Sequence, residues 1–290
     1  MENFLLSKGA RDMFFATFLF SIMQVFVKSL AHIPFWQIIF FRAGISAIFC
    51  YIEMKKRNLN LWGNNKPLLL ARGLFGAFSL ACFFYALQNA PLASVVTIVN
   101  IKPFLILLLA VFLLKEKIYP IQWLFFIASF IGIIFIKGFD SRINTTELLA
   151  IFGAAGFAAI AHTCVRKLKG IDDPVVILFY FTIVTLPFVL PFSIEHWKIM
   201  NSLDWVLILS IGIVTHFAQL FLTKAYQSEK VSEVSTIYYF GIVFAFLYGY
   251  FFFEEKYTYQ AFIGIILVVG GIISNLFYCD FYKCSSWKFF

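Results

Sequence analysis

Ten apolar stretches recur along this chain, at residues 12–31, 35–52, 68–88, 91–114, 119–137, 146–165, 174–194, 204–225, 231–253 and 259–279, with only short polar breaks between them. A hydrocarbon core of about 30 Å is crossed by roughly 20 mainly apolar residues in helical form. Lipid offers no partner to a backbone N–H or C=O, so each crossing segment has to satisfy its own hydrogen bonds. The pattern therefore predicts an all-α integral membrane protein with ten transmembrane helices. Composition agrees: 62% of the 290 residues are hydrophobic and 13% charged, and mean hydropathy is +0.89, unlike a soluble domain. No small-residue cleavage site follows the first stretch, which is expected to be a retained helix rather than a signal peptide.

The net charge of +8 could point to nucleic acid, but its distribution points to topology instead. With the N-terminus in the cytosol, 15 Lys and Arg fall on cytosolic ends and loops and 5 on the opposite side, while Arg42, Arg72 and Lys102 lie within spans. That asymmetry follows the positive-inside rule with both termini cytoplasmic. The five cysteines form no framework, and unpaired thiols are expected.

Sliding the chain over itself by 139 residues lays residues 92–117 on 231–256 without a gap, and seven of the 26 positions agree, Glu116 with Glu255 and Lys117 with Lys256 among them. The same shift pairs Lys28 with Lys167, Gly73 with Gly212, Phe78 with Phe217 and Gln88 with Gln227. Two halves follow, 1–139 and 140–290, each of five spans. Because five is odd, the second is inserted upside down relative to the first. Inverted repeats of this kind are a carrier architecture, with the substrate site near the midplane between the halves.

Residues 71–117 carry Arg72-Gly73, Tyr85-Ala86-Leu87, Ala90-Pro91, Ala93-Ser94, Pro103 and an Ala110-x-x-x-Leu114-x-Glu116 ending. This run resembles the third and fourth helices of the EamA family in the drug/metabolite transporter superfamily, and "FFFEEK" at 251–256 is its weaker echo. The resemblance implies a ten-helix carrier working by alternating access, its cavity formed mainly by helices 1, 3, 4, 6, 8 and 9. The superfamily handles amino acids, nucleotide sugars, S-adenosylmethionine and drugs, so the resemblance alone selects no substrate. Lys102 departs from the family pattern, in which neighbours of this proline are usually apolar or small.

A charge at the centre of a spanning helix costs about 2.5 to 3.5 kcal/mol on insertion scales. Lys102 is about 11 residues from either end of its stretch, too deep to snorkel. Pro103 removes the hydrogen bond to the carbonyl of Val99 and is expected to kink the helix there. Lys102 is thus expected to contact substrate or gate the path, against the blander reading of a structurally satisfied lysine. Arg42, about seven residues into its span, stands evenly between binding and anchoring. Arg72, one turn from the cytosolic end, is expected to snorkel into headgroups. On the fourth span Thr97 and Asn100 share a face, whereas Asn100 and Lys102 are about 200° apart on a regular helix.

All 15 acidic residues fall in loops or near span ends. No central carboxylate is available to neutralise Lys102, and an uncompensated cation in a low-dielectric cavity calls for an anion. A substrate bearing a carboxylate or phosphate, of amino-acid or S-adenosylmethionine type, is therefore expected. His162 and His216 could relay protons; Gly212, His216, Gln219 and Thr223 form one polar stripe at spacings of four, three and four. Tyr238 and Tyr239 correspond under the repeat to Val99 and Asn100 and flank the same level.

A secondary carrier for a small organic metabolite is the leading reading. A membrane-embedded enzyme is the rival, but there is no H-E-x-x-H, no paired intramembrane aspartates and no Ser/His pair in a recognisable context. A channel would need a charged ring or repeated filter segment, and neither occurs. The expected partners are a small-molecule substrate and the lipid bilayer, with no nucleic acid, metal or cofactor; the layout is compatible with a homodimer. A bacterial inner membrane is the expected location.

Overall fold

The structure is a computed structural model, and it describes residues 8–102, 105, 121, 124–125, 127–128, 131–132, 135, 143–228, 237–238, 240–256 and 258–281. Among the described residues there is no strand. The helices are α1 (Lys8–Ser29), α2 (Phe35–Lys56), α3 (Lys66–Asn89), α4 (Leu92–Val99), α5 (Thr145–Lys167), α6 (Pro174–Glu195), α7 (Ser202–Ser228), α8 (Phe240–Phe253) and α9 (Tyr259–Phe281). Six of them, α1, α2, α3, α5, α6 and α7, are long and apolar enough to cross a membrane; α8 and the Phe262–Gly271 part of α9 are shorter apolar helices. The protein is therefore a multi-pass, all-helical membrane protein. Pro103, Tyr239 and most of the fifth apolar stretch lie outside the described residues.

Helix boundaries follow from local chemistry. Asn65 caps α3 by accepting from the Leu68 N–H at 3.3 Å, and Asp173 caps α6 by accepting from Val175 N–H at 2.9 Å; each is followed within two residues by a proline inside the first turn. Within the helices, hydroxyls turn back on their own chain: Thr97 donates to the Ala93 carbonyl, Thr185 to Phe181 and Ser193 to Val189. In lipid that removes the cost of an unpaired O–H.

α3 packs along α5 and α1 along α7, while α2 and α6 cross between them, α2 also meeting α7 and α6 meeting α3. Two glycines permit the closest of these approaches. A Cβ on Gly73 would stand 2.8 Å from the Val184 Cβ on α6, and one on Gly212 would stand 2.8 Å from the Ile45 Cβ on α2.

Polar ties close both ends of the bundle. At one end Arg57 reaches Asp173 at 2.6 Å, Asp172 accepts from the Asn64 and Asn65 N–H groups, and the Gln227 amide donates to the carbonyls of Leu168 and Asp172. At the other, Gln88 donates to the carbonyls of Leu30 and Ile33, and His32 meets Asp204 at 3.0 Å. Lys28 there bonds the Glu255 carboxylate at 2.8 Å and the Ala90 carbonyl at 2.7 Å. Glu255 also accepts from the Leu92 N–H, at the N-terminus of α4 where the helix dipole favours an anion.

Candidate functional site

Between these ends lies a recess enclosing about 670 Å³ of empty space, counted to its open mouth. Its walls come from α1 (Phe20, Met23, Gln24), α3, α5 and α7, together with Val99, Lys102 and Tyr238. α2 and α6 contribute as well, with Arg42 and Phe181. The family resemblance had not placed those two helices on the cavity.

The site is built from three buried cations. α4 stops at Val99, and Asn100 and Ile101 make a turn, with the Asn100 N–H shared between the carbonyls of Val96 and Thr97. α4 thus ends three residues before Lys102. Its ammonium donates to the Tyr238 hydroxyl at 3.2 Å and lies 4.4 Å from the centre of that ring.

Arg42 and Arg72 converge on a single aromatic ring. The guanidinium carbons lie 5.6 Å and 4.5 Å from the centre of Phe181, and Arg42 also faces Phe84 at 5.8 Å. Both arginines are buried, and neither Nε has a hydrogen-bond partner. The two centroid distances keep the guanidinium carbons within about 10 Å of each other, where unit charges repel by at least roughly 1.7 kcal/mol at an effective dielectric near 20. Among the described residues, no Asp or Glu lines the recess.

Arg72 corrects the expectation of snorkelling. At 2% exposure it turns inward instead of reaching the headgroups. The reason is Gly76 one turn on: a Cβ there would collide with Arg72 Nη1 and come within 2.8 Å of the Phe181 ring. The missing side chain leaves a notch in which the guanidinium lies against Phe181. Ser79, Phe83 and Gln24 also line the recess and were not singled out by sequence. Gln24 is buried with its Oε1 unpartnered.

The other sequence candidates divide. Arg42, Lys102, His162, Gln219 and Tyr238 line the recess. His162 is tilted against Tyr226 at 4.9 Å, and the Oε1 of Gln219 is buried without a partner. Thr97 and Asn100 are buried but are not among the lining residues. His216 faces α2, its Nδ1 3.1 Å from Ser46 Oγ and its ring stacked on Phe49, so the polar stripe of α7 is split between helix packing and the recess. Pro103 and Tyr239 lie outside the described residues. Among these residues no His, Cys, Asp or Glu group could hold a metal ion.

The EamA-like transporter family model matches the chain twice, over residues 8–138 and 145–277. The chain belongs to the EamA-like transporter family. Within this family of carriers it is 31% identical to the pseudopaline exporter of Pseudomonas aeruginosa over 93% of this chain and 96% of that protein. It is 30% identical to solute carrier family 35 member G1 of Mus musculus, over 88% of this chain and 74% of the relative. The S-adenosylmethionine uptake transporter of Rickettsia prowazekii is 27% identical over 76% of this chain and 75% of its own length. A crystal structure superposes with a TM-score of 0.63 at 18% identity, covering 92% of this EamA-like chain and 98% of the other, and so shares its fold. The chain is a transporter by family.

Proposed function

We propose that this protein is a secondary carrier that moves a small organic metabolite bearing a carboxylate or phosphate by alternating access, binding it in the recess between Arg42, Arg72 and Lys102. The observation that carries the reading is three buried cations in one recess whose lining, among the described residues, includes no carboxylate. Relatives named for pseudopaline export and S-adenosylmethionine uptake move organic metabolites, which fits that substrate class. His162, Gln219 and Tyr238 complete the binding surface, with Thr97 and Asn100 at the end of α4 and His216 bracing α7. The protein acts as a carrier and not as an enzyme.

The scaffold of this reading is ten helices in two inverted five-helix repeats, 1–139 and 140–290. Two successive matches to one family model support it. So does the pairing of contacts under the 139-residue shift: Gly73 against Val184 corresponds to Gly212 against Ile45, and the Gln88 bonds correspond closely to those of Gln227. Both termini are then cytoplasmic, and a bacterial inner membrane is the setting proposed.

The test is thermal stabilisation of the purified chain by amino acids, nucleotides, S-adenosylmethionine and sugar phosphates, followed by counterflow of the best stabiliser in proteoliposomes. Saturable counterflow that is lost in Lys102→Ala is expected. Stabilisation by cationic compounds alone would overturn the reading.

A further inference from the structure

The lining residues hold more information than their net charge. Under the 139-residue shift Arg42 corresponds to Phe181, Arg72 to Ile211 and Lys102 to Gly241, so all three cations come from the first half of the chain. The second half supplies the rings on which they lie, Phe181 and Tyr238. Two separate anion subsites result. One is the guanidinium pair over Phe181, and the other is the Lys102 ammonium over Tyr238. A single carboxylate accepts a bidentate bond from one guanidinium and leaves the other charges unmatched in a low-dielectric recess.

Two acceptors face the same space. Gln24 Oε1 on α1 and Gln219 Oε1 on α7 are buried and without a hydrogen-bond partner. A buried acceptor left unsatisfied is costly, and a ligand that donates to it recovers that cost. Neither oxygen can be satisfied by a carboxylate or phosphate, which only accept. The lining thus asks for two kinds of group on one ligand: anions for the three cations and an N–H or O–H donor for the two amides. Phe20, Met23 and Leu80 add apolar wall, and Ser79 and His162 also line the recess.

Resting on the carrier reading above, we infer that the substrate carries at least two anionic groups together with an amino or hydroxyl donor, an amino- or hydroxy-dicarboxylate or a hydroxylated phosphate monoester, rather than a single carboxylate. The two anionic groups divide between the guanidinium pair and Lys102, and the donor lies between Gln24 and Gln219. The number of anionic groups sets affinity, and the donor sets selection among ligands that carry two.

Apparent affinities of the full-length purified protein for butyrate, succinate, malate, aspartate and glycerol 3-phosphate, from thermal-shift titrations at pH 7.5, test this. Succinate is expected to bind about 100-fold more tightly than butyrate, and malate, aspartate or glycerol 3-phosphate about tenfold more tightly than succinate. Which of the last three leads distinguishes a carboxylate from a phosphate source of the second charge. Arg42→Gln should bring succinate down to butyrate, while Arg42→Lys, which keeps the charge, retains the preference and shows that the fold survives. The double variant Gln24→Leu, Gln219→Leu should bring malate down to succinate.

Butyrate binding as tightly as succinate would overturn the assignment of two anionic groups and leave the anionic-carrier reading standing. Malate, aspartate and glycerol 3-phosphate all binding no more tightly than succinate would overturn the donor assignment. Binding of none of these anions would overturn the inference, and if cationic solutes bind in their place the carrier reading falls with it.

Discussion

Lys28 and Lys102 are both largely withdrawn from solvent in the same helical bundle, and they are treated in opposite ways. Lys28 has a carboxylate at 2.8 Å and a backbone carbonyl at 2.7 Å, and that carboxylate in turn holds the first N–H of α4. Lys102 has a phenol at 3.2 Å and the face of its ring. Where this chain needs a cation for architecture it supplies the matching anion from another segment, 227 positions away in sequence between Lys28 and Glu255. In the recess, among the described residues, it supplies none. On the carrier reading proposed above the matching group arrives with the substrate, and that would separate a binding lysine from a structural one more firmly than depth in the membrane does.

The widest expected gap between the two sites is in stability. Glu255→Gln leaves Lys28 without its counter-charge and should lower unfolding stability by about 3 to 5 kcal/mol, read as an earlier melt of the full chain in detergent. Lys28→Met with Glu255→Leu should recover most of that loss. An unchanged melt in Glu255→Gln would erase the contrast.

Lys102→Ala should do the reverse. Counterflow should fall at least about 100-fold, equivalent to roughly 2.7 kcal/mol, while the melting temperature holds or rises. A protein that melts earlier but still transports would make Lys102 a second Lys28.

Gly76→Ala comes next. Closing the notch displaces the Arg72 guanidinium from Phe181, and apparent substrate affinity should weaken about tenfold. Concentration dependence of counterflow is the measurement, and a loss confined to maximal rate would argue against displacement. The smallest effect belongs to His216→Asn. With its bond to Ser46 directed at α2, this change should alter transport less than about twofold at any pH between 6 and 8. A steep loss there would bring His216 back into the transport path.

Much of this was legible in sequence, because lipid makes its demands locally. Apolar length gave the helices at α1, α2, α3, α5, α6 and α7, and a lone charge far from both ends of a span gave Lys102. Gln88 and Gln227, paired by sequence shift, make corresponding bonds to carbonyls at opposite ends of the bundle. What stayed hidden depends on partners far along the chain. Arg72 turns inward because Phe181, 109 positions later, offers a face and Gly76 offers the room. Asn100 and Lys102, about 200° apart on a regular helix, do part company: Lys102 lines the recess and Asn100 is buried away from it. Gln219 and His216 are three residues apart on α7, yet α7 is wedged beside both α1 and α2, and the two side chains meet different neighbours.

Phe181 has a consequence for how this protein can change over generations. One ring supports two guanidiniums, so replacements at 42, 72 and 181 are epistatic by construction: whichever comes first alters the value of the others. Its counterpart under the shift is Arg42 itself, so the two stretches contribute opposite members of one contact.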